Sequence, residues 1–237
     1  MPVLALLTSS GFGSLLGMRH ALEPDHLAAV STLVSHERNS VKTALLGMCW
    51  GLGHTAGLIV VGAVLVFLRA ELPPSIADMF ELLVAIMLIA LGTRAVLRAV
   101  HHGQTAHQHA HTFAVHRHSG MPAHVHIGAW TLARRPLLVG AIHGLAGSGA
   151  LTALVLTTLP STAARLCYMA LFGLGSTVGM AALSGLLGWP LARLGAHHAV
   201  TRGISLAVGA MSVALGLFWG YPLVGRLFQA VGTVYRH

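Results

Sequence analysis

The chain has 237 residues, 55% of them hydrophobic and only 8% charged, with a mean hydropathy of +0.75. Length alone allows one large or two small soluble domains, but long apolar runs recur throughout and leave few polar faces for a water-soluble surface. The net charge of +8 does not point to nucleic acid, because the one lysine, Lys42, and the thirteen arginines fall mostly at the ends of apolar runs and not in one patch.

A spanning helix needs about 20 apolar residues. Runs of that kind lie near 3–22 (continuing to 34 after a break), 43–68, 77–99, 137–159, 163–189 and 203–229, which predicts an all-α integral membrane protein with six transmembrane helices. The first run has no early basic residues and carries a histidine cluster, so it does not read as a cleaved signal peptide.

That run ends in GMRHALEPDHLAAVSTLV (17–34), which gathers Arg19, His20, Glu23, Asp25 and His26 around Pro24. In an unbroken helix Asp25 would lie about 140° and His26 about 120° from His20, so the three would not share a face. Pro24 has no amide hydrogen and clashes with the preceding turn. A break at Glu23–Pro24 turns all three inward, and free backbone at this depth is tolerated where it is buried in protein or lines a cavity. Two imidazoles and a carboxylate suit a divalent transition metal such as nickel, cobalt or zinc. The bland alternative is a helix end at the membrane surface, with Arg19, Glu23 and Asp25 paired in water. The cost of ionisable groups in spanning segments favours the ion-pathway reading.

The second run contains GLGHTAGL (51–58), with His54 in mid-helix and Gly53 and Gly57 spaced for a close helix crossing. A histidine hydrogen-bonded across helices is the alternative for His54. The third run leads into 101–126, where nine histidines occur in 26 residues without sustained helical or strand periodicity. This His-rich loop is expected to collect metal ions weakly, with His101, His102, His107, His109 and His111 as minor ligand candidates; a solvated linker without a metal role is the alternative. The fourth run carries His143 and Ser148 in HGLAGSGAL (143–151).

The two halves repeat one another. GxxH occurs at 17–20 and 140–143, GLGHTAGL (51–58) matches GLGSTVGM (173–180), and VAIMLIALG (84–92) matches VGAMSVALG (208–216), at offsets of 123, 122 and 124 residues. Chance similarity between apolar helices explains this order poorly. The expected organisation is one transporter domain over 1–237: repeat one at 1–102, the His-rich loop at 103–126 and repeat two at 127–237. Three helices per copy make the second copy enter from the opposite side, the inverted-repeat plan of many transporters. Against His20, Asp25, His26 and His54 stand His143, Ser148, Gly149 and Ser176. One site is therefore expected, built mainly by repeat one and completed by His143. Glu23, Ser148 and Ser176 are weaker metal or gating candidates.

Odd-numbered connections hold nine basic residues and even-numbered ones two. Loop charge of this kind predicts both termini outside and the His-rich loop cytoplasmic. Cys49 and Cys167 form no CxxC spacing and suggest neither a disulfide framework nor a zinc ribbon.

His20–Asp25–His26 in the pattern H-x-x-x-x-D-H, followed by His54 in the next helix, resembles the signature of the nickel/cobalt transporter family. GLGHTAGL and HGLAGSGAL are also similar to its shorter six-helix members, the NicO branch often grouped with urease accessory membrane proteins. The resemblance implies permease activity toward Ni2+ or Co2+ in a bacterial plasma membrane, with His20, Asp25, His26 and His54 as metal residues. Zn2+ is a further candidate, and a metallochaperone or a urease or hydrogenase maturation pathway is an implied partner. No prosthetic group and no catalytic residue are expected, and the absence of a Walker-type phosphate loop makes transport secondary. Uptake is the expected direction. Efflux by the same fold, or a membrane thiol–disulfide electron conduit using the cysteines, are the alternatives. A variant lacking 103–126 is expected to keep transport but lose apparent affinity in proteoliposome uptake; unchanged affinity would make the segment a plain linker.

Overall fold

The computed structural model describes residues 12–34, 39–101, 106–111, 114–119, 124–127, 130–159, 161–194 and 198–234. Within them the chain forms helix α1 (12–20), α2 (Pro24–Val34), α3 (Ser40–Leu68), α4 (Pro74–Val100), strands β1 (Ala106–His111), β2 (Ala114–Ser119), β3 (His124–Ile127) and β4 (Trp130–Ala133), then α5 (Arg134–Thr158), α6 (Thr162–Leu194) and α7 (His198–Val234). Four helices among the described residues are long and apolar enough to cross a membrane: Ser40–Leu68, Pro74–Val100, Thr162–Pro190 and Ala199–Gln229. They coincide with four of the six expected runs.

The first run is broken at the expected place. Residues 21–23 form a turn, and α2 restarts at Pro24. Proline is well placed at the first turn of a helix, where its missing amide hydrogen would have no partner. The backbone amides of Leu22 and Glu23 bond the carbonyls of Arg19 and His20, a tighter turn that closes α1. The fourth run is the 25-residue helix α5.

The His-rich segment departs from expectation. In place of an unstructured loop, β1 pairs with β2 and β3 with β4 as two antiparallel hairpins, with His107 opposite His118 and His109 opposite His116. The cause is an overlooked alternation: AHQHAH and AVHRHS place histidine at every second position, the period of a strand.

Helix α3 lies between α5 and α6, α4 pairs with α7, and α2 touches all of α3, α4, α6 and α7. Small residues permit the close crossings. A Cβ at Gly53 would overlap the Leu137 carbonyl oxygen, and one at Gly57 that of Ala141. On the other side of the bundle, a Cβ at Gly175 would overlap the Ser14 carbonyl oxygen, and one at Gly179 would come 2.9 Å from the Ala21 Cβ. Between α3 and α6, the Thr55 and Thr177 hydroxyls bond at 2.9 Å, and between α4 and α7 the Ser212 hydroxyl donates to the Leu88 carbonyl at 3.0 Å. The core beneath α2 joins Ala28, Ala29 and Val30 to Trp50, Val84, Leu88 and Met180.

Gly53→Val forces α3 away from α5, and overpacking of this kind costs about 1–3 kcal/mol. The variant is expected to unfold at lower temperature in detergent, whereas Gly203→Ala, with nothing within 4 Å, should match the wild type. Equal melting of all three proteins would contradict the packing.

Candidate metal site

The turn at 21–23 carries two of the site's imidazoles on opposite sides of Pro24. His20 ends α1, and Asp25 and His26 open α2. His54 comes from the middle of α3 and His143 from α5. Their meeting depends on glycine: a Cβ at Gly140 would overlap the Trp50 carbonyl oxygen, and one at Gly144 the His54 carbonyl oxygen. With those hydrogens in place of side chains, α5 lies directly on α3.

The four rings form one cluster. His26 stacks on His143 at 4.1 Å between centroids, and lies 4.5 Å from His20 and 5.2 Å from His54. His20 and His54 are 5.3 Å apart. His26, His54 and His143 are 1%, 0% and 2% exposed.

Two carboxylates set the chemistry of these rings. Asp25 Oδ1 accepts from the His26 backbone amide at 2.9 Å and from His26 Nδ1 at 3.0 Å, while its Oδ2 accepts from His143 Nε2 at 2.7 Å. Glu23 Oε1 lies 2.9 Å from His20 Nδ1. An ionised carboxylate only accepts hydrogen bonds, so each bonded ring nitrogen carries the proton and the opposite nitrogen of a neutral ring keeps its lone pair. The lone pairs therefore fall on His20 Nε2, His26 Nε2 and His143 Nδ1. All three atoms are buried without a protein hydrogen-bond partner, as are both ring nitrogens of His54. A buried polar atom left unpaired costs about 1–3 kcal/mol, so a cluster of them requires a function.

Ligand atoms of His20, His26 and His54 all lie within 4.8 Å of one another, as do those of Asp25, His26 and His143. Space beside the first triad is kept by Gly147, where a Cβ would stand 3.7 Å from His20 Nε2. His20, Asp25, His26 and His143 line one wall of a 990 Å³ cavity.

The remaining sequence candidates are distributed otherwise. Ser176 is fully buried on α6 and its hydroxyl has no partner. His101 is exposed at the end of α4, its Nδ1 3.0 Å from the Leu97 carbonyl oxygen, and does not join the cluster. His102 lies outside the described residues, as do the side chains of Ser148, His107, His109 and His111. Cys49 is buried on α3 and Cys167 exposed on α6, both as free thiols. Sequence reasoning missed Trp50, whose ring lies 5.5 Å from that of His26 and 5.7 Å from that of His143. Its position one helical turn before His54 is the signal that points to it.

Long apolar helices around a buried set of imidazoles held by carboxylates define an integral membrane protein with the donor groups of a metal-handling site. Residues 7–221 match the NicO family, described as high-affinity nickel-transport protein. The chain belongs to that family: it is a membrane metal-ion transporter and not an enzyme. It is 31% identical over 218 residues, 92% of either chain, to the urease accessory protein UreH of Bacillus sp. (strain TB-90). It is 27% identical to the chloroplast protein FOR GROWTH AND FERTILITY 1 of Arabidopsis thaliana, over 77% of this chain and 50% of that one. FOR GROWTH AND FERTILITY 2 of the same plant is 24% identical over 92% of this chain and 59% of its own. No solved structure matches.

Removing a carboxylate that orients a ligating imidazole typically weakens metal binding about 10–100-fold. Asp25→Asn is expected to lower Ni2+ affinity in that range, measured by titration calorimetry on the purified protein. Unchanged affinity would show that Asp25 does not set the rings.

Proposed function

We propose that the chain carries Ni2+ or Co2+ across a bacterial plasma membrane by secondary alternating access. The ion binds to His20 Nε2, His26 Nε2 and His54, with Glu23 and Asp25 holding the first two rings and His143 receiving the ion from the other side of Asp25. The observation that carries this reading is the pair of imidazoles, each protonated toward its own carboxylate and with an unpartnered Nε2, in rings that with His54 offer ligand nitrogens within 4.8 Å of one another. Imidazole nitrogen suits nickel, cobalt and zinc, and a divalent cation compensates the buried Asp25 charge. Protons compete with the metal for the same lone pairs, so proton coupling belongs to the proposal.

The six-helix inverted repeat, with α1 and α2 counted as one broken span, is part of the same reading. Its support is the recurrence of contacts at the duplication offsets. Gly17 sits against Phe172 and Ser176 as Gly140 sits against Trp50 and His54, and Gly92 sits against Gly209 as Gly216 sits against Ala85. Contacts between the copies thus recur in pairs related by the duplication, as a pseudo-twofold arrangement requires. Each helix of one copy packs on its counterpart or that counterpart's neighbour. The moving units are therefore the α4–α7 pair and the α3–α5–α6 bundle, with α2 and its Asp25 between them.

The cavity is lined by Glu81 and Val84 near the start of α4 and by Leu217 to Arg226 toward the end of α7. It opens at the end of the bundle opposite the His-rich hairpins, which follow α4 and precede α5. With those hairpins on the cytoplasmic side, the cavity admits an ion from outside, which favours uptake. The likeness to a urease accessory protein supports delivery of nickel to urease maturation.

The test is uptake of labelled nickel, cobalt and zinc into proteoliposomes of known orientation, wild type beside His20→Ala and His26→Ala. The wild type should accumulate nickel or cobalt and both variants should lose it. Transport of no divalent metal, or normal transport by both variants, would overturn the reading.

A further inference from the structure

The 990 Å³ cavity has a second chemical feature besides the imidazoles. Three of the chain's six acidic residues, Glu23, Asp25 and Glu81, line it. Glu23 and Asp25 belong to the floor, where they hold His20 and His26. Glu81 stands apart from them on α4, eight residues into the helix, about 10 Å below its first residue at 1.5 Å per residue. A carboxylate in an apolar spanning helix is costly unless it faces protein or water, and here it faces the cavity.

One cation, Arg226 of α7, also lines the cavity, and its Nη1 pairs with Asp78 Oδ1 at 3.2 Å. Asp78 lies one turn above Glu81, and Val84 one turn below it also lines the cavity. The face of α4 that descends into the cavity therefore presents first an acid that neutralises the arginine, then an unshared acid, then an apolar wall. Beyond that wall are buried His26 and partly buried His20, whose Nε2 atoms are buried without a protein partner and which line the same space. A water occupies about 30 Å³ of liquid volume, so a cation with six waters needs roughly 200 Å³. The cavity holds that with room to spare.

We propose that Glu81 is a recruiting subsite for a hydrated divalent cation at the mouth of this cavity, and that Asp78 keeps the mouth attractive to cations by neutralising Arg226. The inference rests on the reading of the histidine cluster as the transport site. Glu81 raises the local concentration of the hydrated ion and takes no part in the dehydrated site. Clefts lined by one sign of charge enhance capture about 10–1,000-fold, and salt removes the effect.

The experiment has two readouts on the full-length protein. In proteoliposomes, Glu81→Gln should raise KM for Ni2+ about tenfold with kcat within about twofold of wild type, and should abolish most of the salt dependence of KM. Glu81→Asp should restore both. Asp78→Asn should raise KM in the same direction, and Asp78→Asn combined with Arg226→Gln should return it toward wild type. By equilibrium dialysis of nickel against detergent-purified protein, the wild type should show a tight site and a weaker, salt-sensitive one. Glu81→Gln should lose only the weaker site and His26→Ala only the tight one. A KM and salt dependence in Glu81→Gln equal to wild type, or a weaker site retained in that variant, would overturn the proposal. Should the wild type move no nickel, the transport reading fails, while loss or retention of the weaker dialysis site still decides the subsite.

Discussion

The buried carboxylate of Asp25 is the interaction on which the interior depends. Its two oxygens bind two imidazoles from different halves of the chain, His26 beside it and His143 across 118 residues of sequence. Hydrogen bonds to a charged group are worth about 1.5–3 kcal/mol each, and both are made away from water. One anion thus ties α2 to α5, selects the protonated nitrogen on each ring and leaves the opposite nitrogens free. The break before Pro24 is what lets it do so. In a continuous helix Asp25 would point away from the face that carries His20, and the two carboxylate–imidazole pairs would not converge.

Glycine supplies the second condition. Side chains on α5 would hold it off α3, and the rings of His54 and His143, now 5.9 Å apart, would separate. The same device recurs between α1 and α6, where the counterpart of His54 is the buried Ser176. The scaffold is therefore paired while its chemistry is one-sided: close crossings occur on both sides, and imidazoles collect on one. On the proposed reading, that asymmetry puts a single ion between two packing units that slide past each other, with α2 as the element both units touch.

Much of this was legible in the chain because the membrane makes polar residues conspicuous. The five main metal candidates of the apolar runs, His20, Asp25, His26, His54 and His143, are the five that meet, and the duplication pointed to His143 where spacing alone would not have. What each does was less legible. The pattern H-x-x-x-x-D-H suggests that Asp25 is a ligand; its oxygens also accept from two imidazoles, a fact of three-dimensional pairing that no spacing encodes. Glu23 read as a weaker metal or gating candidate, or as a helix-end charge, and it pairs with His20. Trp50 was hidden because an apolar aromatic in an apolar helix carries no contrast, and Glu81 because its cavity is made by α7, far along the chain. The His-rich hairpins were missed for a different reason: histidine abundance masked the two-residue alternation that strands require.

The central claim is that histidine nitrogens, oriented by carboxylates that do not themselves bind, hold the ion. X-ray absorption at the nickel edge of the loaded, purified protein tests this most directly, because imidazole rings add a distinctive outer-shell scattering pattern. The expected spectrum has about three imidazole ligands, with the imidazole signal reduced in His26→Ala. A first shell of oxygen atoms alone, the same in wild type and His26→Ala, would contradict the account.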